Sequence, residues 1–128
     1  MSERHPERLS SAHRLRAVRD FDALKTHGVA VRGRFCVLVS HRNPDEITRV
    51  GFVASKRSVG NAPDRNRARR RMREIVRRRW PRVHPVGFLL MLIATRHTVG
   101  APHQELASEI ERVLAEAGAL RPIPLEVA

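Results

Sequence analysis

At 128 residues, of which 41% are hydrophobic, the chain is long enough for one domain with a modest core. Twenty-five Lys and Arg against 13 Asp and Glu leave a net charge of +12, which points to a polyanionic partner, most commonly nucleic acid. A single cysteine, Cys36, excludes an internal disulfide framework and a Cys-based zinc finger.

In chain order, residues 1–13 are polar and expected to be a disordered tail. Val18, Phe21 and Leu24 keep helical spacing within 17–25, and His27-Gly28 ends that helix. A short strand is expected at 29–32. Residues 35–40 are β-rich, 41–45 (His-Arg-Asn-Pro-Asp) read as a turn, and 48–55 read as a strand forming a hairpin with the one before. Residues 55–64 read as a polar loop containing Gly60. A helix follows, with Asn61 as its cap, Pro63 in its first turn and Asp64 facing its positive end; it stops at Trp80-Pro81. The apolar run 86–94 fits a strand buried on both faces and is about half of what spans a bilayer. Leu106, Ile110, Val113 and Leu114 mark a last helix over 102–117, ending at Gly118. The order α-β-β-β-α-β-α predicts an α+β fold: a two-layer α/β sandwich with a small four-stranded mixed sheet and three helices. The expected organisation is a tail at 1–13, one RNA-binding domain at 14–118 and a loose tail at 119–128. The opening segment has no apolar core of a secretory signal, so a soluble cytoplasmic protein without a membrane partner is expected.

The charge is not spread evenly. Residues 1–100 carry a net +15 and residues 101–128 a net −3. All but two of the basic residues, Lys25 and Lys56, are arginine, which forks onto phosphate and stacks on bases, although a GC-rich genome would also favour it. Residues 65–79 hold nine Arg and one Glu. On a helix, Ala68, Met72, Ile75 and Val76 form one apolar stripe, Arg67, Arg70, Arg73 and Arg77 project away from it, and Arg71 and Arg78 lie on the flank. Arg79 falls near the stripe, with its stem on the core and its head snorkelling. This is a docked helix with a cationic face rather than a basic tail, and phosphate is the expected counterion; a merely solvated face would mix signs. A zipper-type DNA-binding region would run on into heptads, which Trp80-Pro81 prevents, so no DNA is expected. No catalytic constellation emerges: the seven histidines lack metal-ligand spacing, Cys36 sits mid-strand as a core residue, and no Gly-rich phosphate loop is present. Catalytic and metal-ligating residues are therefore both expected to be none.

One longer pattern combines strand, loop and helix. Val50-Gly51-Phe52-Val53-Ala54-Ser55-Lys56-Arg57, then Gly60-Asn61-Ala62, then Arg65-Asn66-Arg67 and Arg69-Arg70 through Arg73-Glu74, resembles the protein component of bacterial ribonuclease P. Leu15-Arg16, Asp20-Phe21 and His27-Gly28 match that family's opening, and the likeness covers about residues 13–117. It implies a four-stranded sheet with three helices and a left-handed strand–helix–strand crossover. It implies removal of the 5′ leader from precursor tRNA by a catalytic RNA subunit working with Mg²⁺, bound mainly by that RNA and the substrate. The protein alone would be inactive, and its partners would be the RNA subunit and precursor tRNA.

Carried over residue by residue, the resemblance assigns Lys56, Arg57, Arg65, Asn66, Arg67, Arg69, Arg70 and Arg73 to the RNA subunit. It assigns Phe21, Lys25 and Val39 to a cleft for the leader between the first helix and the sheet; plain core packing is the other reading of Phe21. Lys25 and Val39 stand where the family often has aromatics, and Arg71 where an apolar residue is common, so the leader cleft here is less aromatic. The alternative is a ribosomal or other structural RNA-binding protein with no role in cleavage.

Overall fold

The computed structural model describes residues 9–121. A helix (α1, Val18–His27) leads into strands β1 (Val29–Arg32), β2 (Cys36–Ile47) and β3 (Arg49–Val53). A single helical turn (α2, Lys56–Val59) and the long helix α3 (Ala62–Arg79) follow, then strand β4 (Val86–Ala94) and helix α4 (His103–Glu116). The sheet order is β1-β2-β4-β3. β1–β2 and β2–β4 are antiparallel, while β3–β4 is parallel and is connected through α2 and α3. This is the expected α+β architecture with one extra helical turn.

The expected hairpin is not formed. β2 continues through 41–45 as strand, and β4 lies between β2 and β3. β4 is the most apolar segment, so the central slot buries it best. The register shifts between Asn43 and Ile47, and this bulge lets the chain cross the start of β4. At the crossing Thr48 is buried. Its N–H donates to Pro85 O at 2.9 Å, and its hydroxyl accepts from Phe88 N–H at 3.3 Å.

The stretch 55–64 is also more ordered than a polar loop. Ser55 Oγ accepts from Ser58 N–H at 3.0 Å and caps α2, which ends at Gly60 with φ of 109°, a conformation open to glycine. Asn61 Oδ1 then accepts from Asp64 N–H at 2.9 Å as the cap of α3. The folded body reaches past both expected tail boundaries. Leu9 and Leu120 are buried, residues 11–13 form a 3-10 turn, and the His13 Nδ1–H donates to Thr48 O at 2.7 Å. The remaining tail positions, 1–8 and 122–128, lie outside the described residues.

Two cores of unequal size lie on the two faces of the sheet. The larger unites Leu38, Val50, Phe88, Leu90 and Leu92 with the α3 stripe Ala68, Met72, Ile75 and Val76, and with Leu106, Ile110, Val113 and Leu114 of α4. The smaller contains Leu15, Leu24 and Leu89, with Ala23, Val39 and Met91 packed against it, and holds α1 on the opposite face. α1 lies close because Gly28 follows it: a Cβ there would come within 2.4 Å of Val39 Cγ1. The helix is tied to the β2–β3 crossing through ion pairs of Asp20 with Arg49 at 3.9 Å and of Arg19 with Glu46 at 3.3 Å.

Candidate nucleic-acid interface

Burying the α3 stripe fixes which arginines face outward. Arg67 and Arg70 are exposed and meet no carboxylate among the described residues. With Arg71, Glu74 and His103 at the start of α4 they line a hollow of about 230 Å³. Arg73 leaves the helix on the other side, with its guanidinium 5.6 Å from the centre of the Phe52 ring. There it shares a hollow of about 190 Å³ with Arg14, Leu15 and Gly51. Arg77 pairs with Glu74, so its charge is partly answered within the helix.

The remaining predicted positions gather at the start of α3. Lys56 and Arg57 are exposed on α2. Arg65 is half-buried and donates to Gly60 O at 2.7 Å, bracing the junction between α2 and α3. Arg69 donates to Asn66 Oδ1, which orients both side chains on the outer surface. Lys56, Arg57, Asn66, Arg67 and Arg70 are thus exposed on α2 and α3, Arg65 and Arg69 are half-buried among them, and Arg73 is exposed beside Phe52.

Two basic residues of the same segment serve the fold instead. Arg71 donates to the carbonyls of Thr98 at 2.7 Å, Val99 at 2.8 Å and Ala101 at 2.7 Å, tying α3 to the loop after β4. Its place on the flank of the cationic face is correct, but its guanidinium is occupied. Arg79 snorkels as its angle implies, and its head finds Glu111 of α4 at 3.1 Å, where Arg82 arrives at the same distance. Hydrogen bonding from Arg82, then from Arg79, holds the Glu111 carboxyl below its usual range.

The second predicted region lies on the α1 face. Strand alternation puts Val37 and Val39 of β2, Met91 and Ile93 of β4 and Val53 of β3 on one surface, all half-buried. α1 covers only part of it, which leaves an open apolar floor beside the helix. Phe21 flanks the buried stripe of α1 and stays 37% exposed, so it is not a core residue. Lys25 follows one turn later and is exposed. Val39 packs into the small core beneath α1. His27 and His41 stack at 5.5 Å between ring centres, where the end of α1 meets β2.

Cys36 is fully buried, and burial, reinforced by the nearby Glu109 carboxylate, pushes its thiol up to about 12, which suits a core residue and not a nucleophile. Sequence reasoning missed Glu109 itself. Its carboxylate accepts from the backbone N–H groups of Arg34 at 2.9 Å, Phe35 at 2.7 Å and Cys36 at 2.8 Å, fastening α4 to the β1–β2 turn. No local pattern could have marked it, since its partners are more than 70 positions away.

Comparisons with known proteins identify the family and the fold. The ribonuclease P family profile matches residues 9–118. The ribonuclease P protein component of Symbiobacterium thermophilum is 37% identical over 114 residues, covering 88% of this chain and 97% of that protein. That of Acidothermus cellulolyticus is 39% identical, covering 83% and 88%. Among solved structures, the Staphylococcus aureus RNase P protein superposes with a TM-score of 0.73 at 24% identity, covering 87% of this chain and all of that one. The Thermotoga maritima RNase P protein gives 0.69 at 25%, covering 80% and 96%. With the family profile spanning most of the chain and a fold shared with these proteins, the chain belongs to the ribonuclease P protein-component family.

Proposed function

We propose that the chain is the protein subunit of a bacterial ribonuclease P, holding the catalytic RNA with the α2–α3 surface and the 5′ leader of precursor tRNA in the cleft beside α1. The observation that carries this reading is α3 itself. Its apolar stripe is fully buried, while Arg67 and Arg70 stand outside with no carboxylate partner among the described residues. Cations so placed gain most from a phosphate backbone, because each contact releases condensed counterions.

Two RNA-facing regions on one rigid domain raise the effective concentration of substrate at the ribozyme and screen the repulsion between the two polyanions. Phe21 supplies an exposed ring for stacking, the half-buried valines and Met91 supply an apolar floor, and Lys25 supplies a charge for leader phosphates. Chemistry at the scissile bond belongs in this reading to the RNA subunit and Mg²⁺. Among the described residues, no three His, Cys, Asp or Glu side chains are grouped to hold a metal ion. Among the same residues no helix is long and apolar enough to cross a membrane, and a cytoplasmic setting suits the proposed role.

Reconstitution tests this. The purified chain, bacterial ribonuclease P RNA and precursor tRNA are mixed at low Mg²⁺, and mature 5′ ends are scored. The chain should be inactive alone and should promote cleavage with the RNA, and an Arg67→Gln, Arg70→Gln variant should do so less well. Tight binding to the RNA without any gain in cleavage would favour the structural RNA-binding alternative.

A further inference from the structure

His103 lines the hollow beside Arg67 and Arg70, and the residues just before it, Gly100 to Pro102, line a larger one. This second cavity, about 350 Å³, is lined by Arg34, Phe35, Arg96, His97, Gly100, Ala101, Pro102 and Glu105. It lies at the end of the sheet where β1, β3 and β4 finish and β2 begins. Two of its features need an explanation beyond folding.

First, its cations are not neutralised. Arg34 and Arg96 are exposed, and neither forms an ion pair among the described residues. Glu105 is the one carboxylate on the wall, and it pairs with neither. Arg96 Nε–H donates to His97 Nε2 at 3.4 Å, which leaves the outer guanidinium nitrogens free, and Arg34 lies over the Phe35 ring at 5.6 Å. Second, the backbone bearing these side chains is fastened on every side. The Thr95 hydroxyl donates to Arg34 O at 2.8 Å, and the Thr98 hydroxyl donates to Phe35 O at 2.5 Å. Arg71 clamps the 98–101 carbonyls to α3, and Glu109 clamps the Arg34–Cys36 N–H groups to α4. Each clamp reduces the entropy lost when a ligand is bound there.

We propose that this cavity is a second phosphate-binding site, in which Arg34 and Arg96 take a backbone phosphate of RNA and extend the α3 surface around the start of α4. The proposal rests on the RNA-binding reading above. It adds two residues from distant parts of the chain and a strip running from Arg67 through His103 to Arg96. The phosphate can come from the RNA subunit or from precursor tRNA.

The test uses the full chain as wild type, as an Arg34→Gln, Arg96→Gln variant and as an Arg67→Gln, Arg70→Gln variant. Affinity for ribonuclease P RNA is measured between about 50 and 200 mM salt. Affinity of each reconstituted holoenzyme for precursor tRNA with and without its leader is measured alongside. Loss of two phosphate contacts should lower the salt slope by about 1.5 units in the arm that supplies the phosphate, with the unfolding midpoint unchanged. A reduced slope for the RNA subunit supports the site and names that RNA as its source; a reduced slope only for leader-bearing substrate supports it with the leader as source. Slopes unchanged in all arms for Arg34→Gln, Arg96→Gln, while Arg67→Gln, Arg70→Gln loses slope, overturn the second site and leave the α3 reading standing. Slopes unchanged for both variants overturn the two readings together.

Discussion

Arg71 and Arg70 are neighbours on the same basic helix, yet Arg71 is bonded to three main-chain carbonyls while Arg70 is exposed with no polar partner among the described residues, and one pair of substitutions separates the roles proposed for them. Replacing Arg71 by Met keeps an unbranched stem of similar length and removes the guanidinium. Three hydrogen bonds of 2.7, 2.8 and 2.7 Å to main-chain carbonyls are lost. Bonds from a charged donor contribute more than neutral ones, but Arg71 is only half-buried and water can replace part of each. About 1 kcal/mol per bond gives a destabilisation of about 3 kcal/mol. For a domain of this size that lowers the thermal midpoint by roughly 10 °C. Arg70→Met removes no intramolecular polar contact among the described residues and should change stability by less than about 0.5 kcal/mol. Binding to ribonuclease P RNA should respond the other way. Arg70→Met should lose about 0.8 units of salt slope, and Arg71→Met, measured below its lowered midpoint, should keep the wild-type slope. Thermal unfolding and a salt titration on the same preparations decide the matter. An Arg71→Met protein that melts like wild type and loses slope would refute the assignment of this arginine to the fold.

Phe21→Ala should weaken the holoenzyme's affinity for leader-bearing precursor tRNA but not for mature tRNA, by about 1 kcal/mol, the lower end for a lost stack because Lys25 and Val39 offer no aromatic neighbour; a competition assay with the two substrates reads it, and an equal loss for both would place Phe21 outside the leader cleft. Acid stability should depend on Glu111, whose folded-state pKa lies below its unfolded value of about 4.5. Its contribution is complete above that value and disappears as pH falls through the folded one, so Glu111→Gln should flatten the pH dependence of the unfolding midpoint below about pH 4.5. The effect should stay within about 1 kcal/mol because both partners are partly exposed, and an unaltered pH profile would contradict the pairing with Arg79 and Arg82.

What the sequence made legible was local. The cap at Asn61, the stripe from Ala68 to Val76 and the stop at Trp80-Pro81 all lie within one helix, where periodicity and capping chemistry act directly, and all three are present. The outward arginines followed from that stripe, so much of the α3 surface could be read in advance. Strand order could not. A turn-rich stretch between two β-rich stretches signals a hairpin, but the central slot went to β4, some 40 residues downstream, because it buries more apolar surface there. The same limit hid the clamps. Arg71 reaches 27–30 positions away and Glu109 more than 70, so one reads as another cation and the other as a surface acid until tertiary structure joins them to their carbonyls and N–H groups. Phe21 needed the structure for a different reason: amphipathic spacing places it beside the buried stripe, and only its exposure separates a core ring from one open to a ligand.

Two populations stand out among the basic residues, and the contrast bears on how a chain of net charge +12 keeps its fold. Arg49, Arg71, Arg79, Arg82 and Arg112 meet carboxylates or carbonyls within the domain. Their charge is largely answered before any partner arrives, and a phosphate would have to compete with bonds already made. Lys56, Arg57, Arg67 and Arg70 face water. There, mutual repulsion opposes folding weakly, because exposed charges are screened by salt over about 10 Å. A polyanion that binds the folded state relieves this repulsion and stabilises the fold by mass action. In the proposed reading, RNA binding and folding stability are coupled through exposed cations of this second kind. Substitutions there should alter the stabilisation conferred by RNA while leaving the free protein almost unchanged, whereas substitutions in the first group should lower the stability of free and bound protein alike.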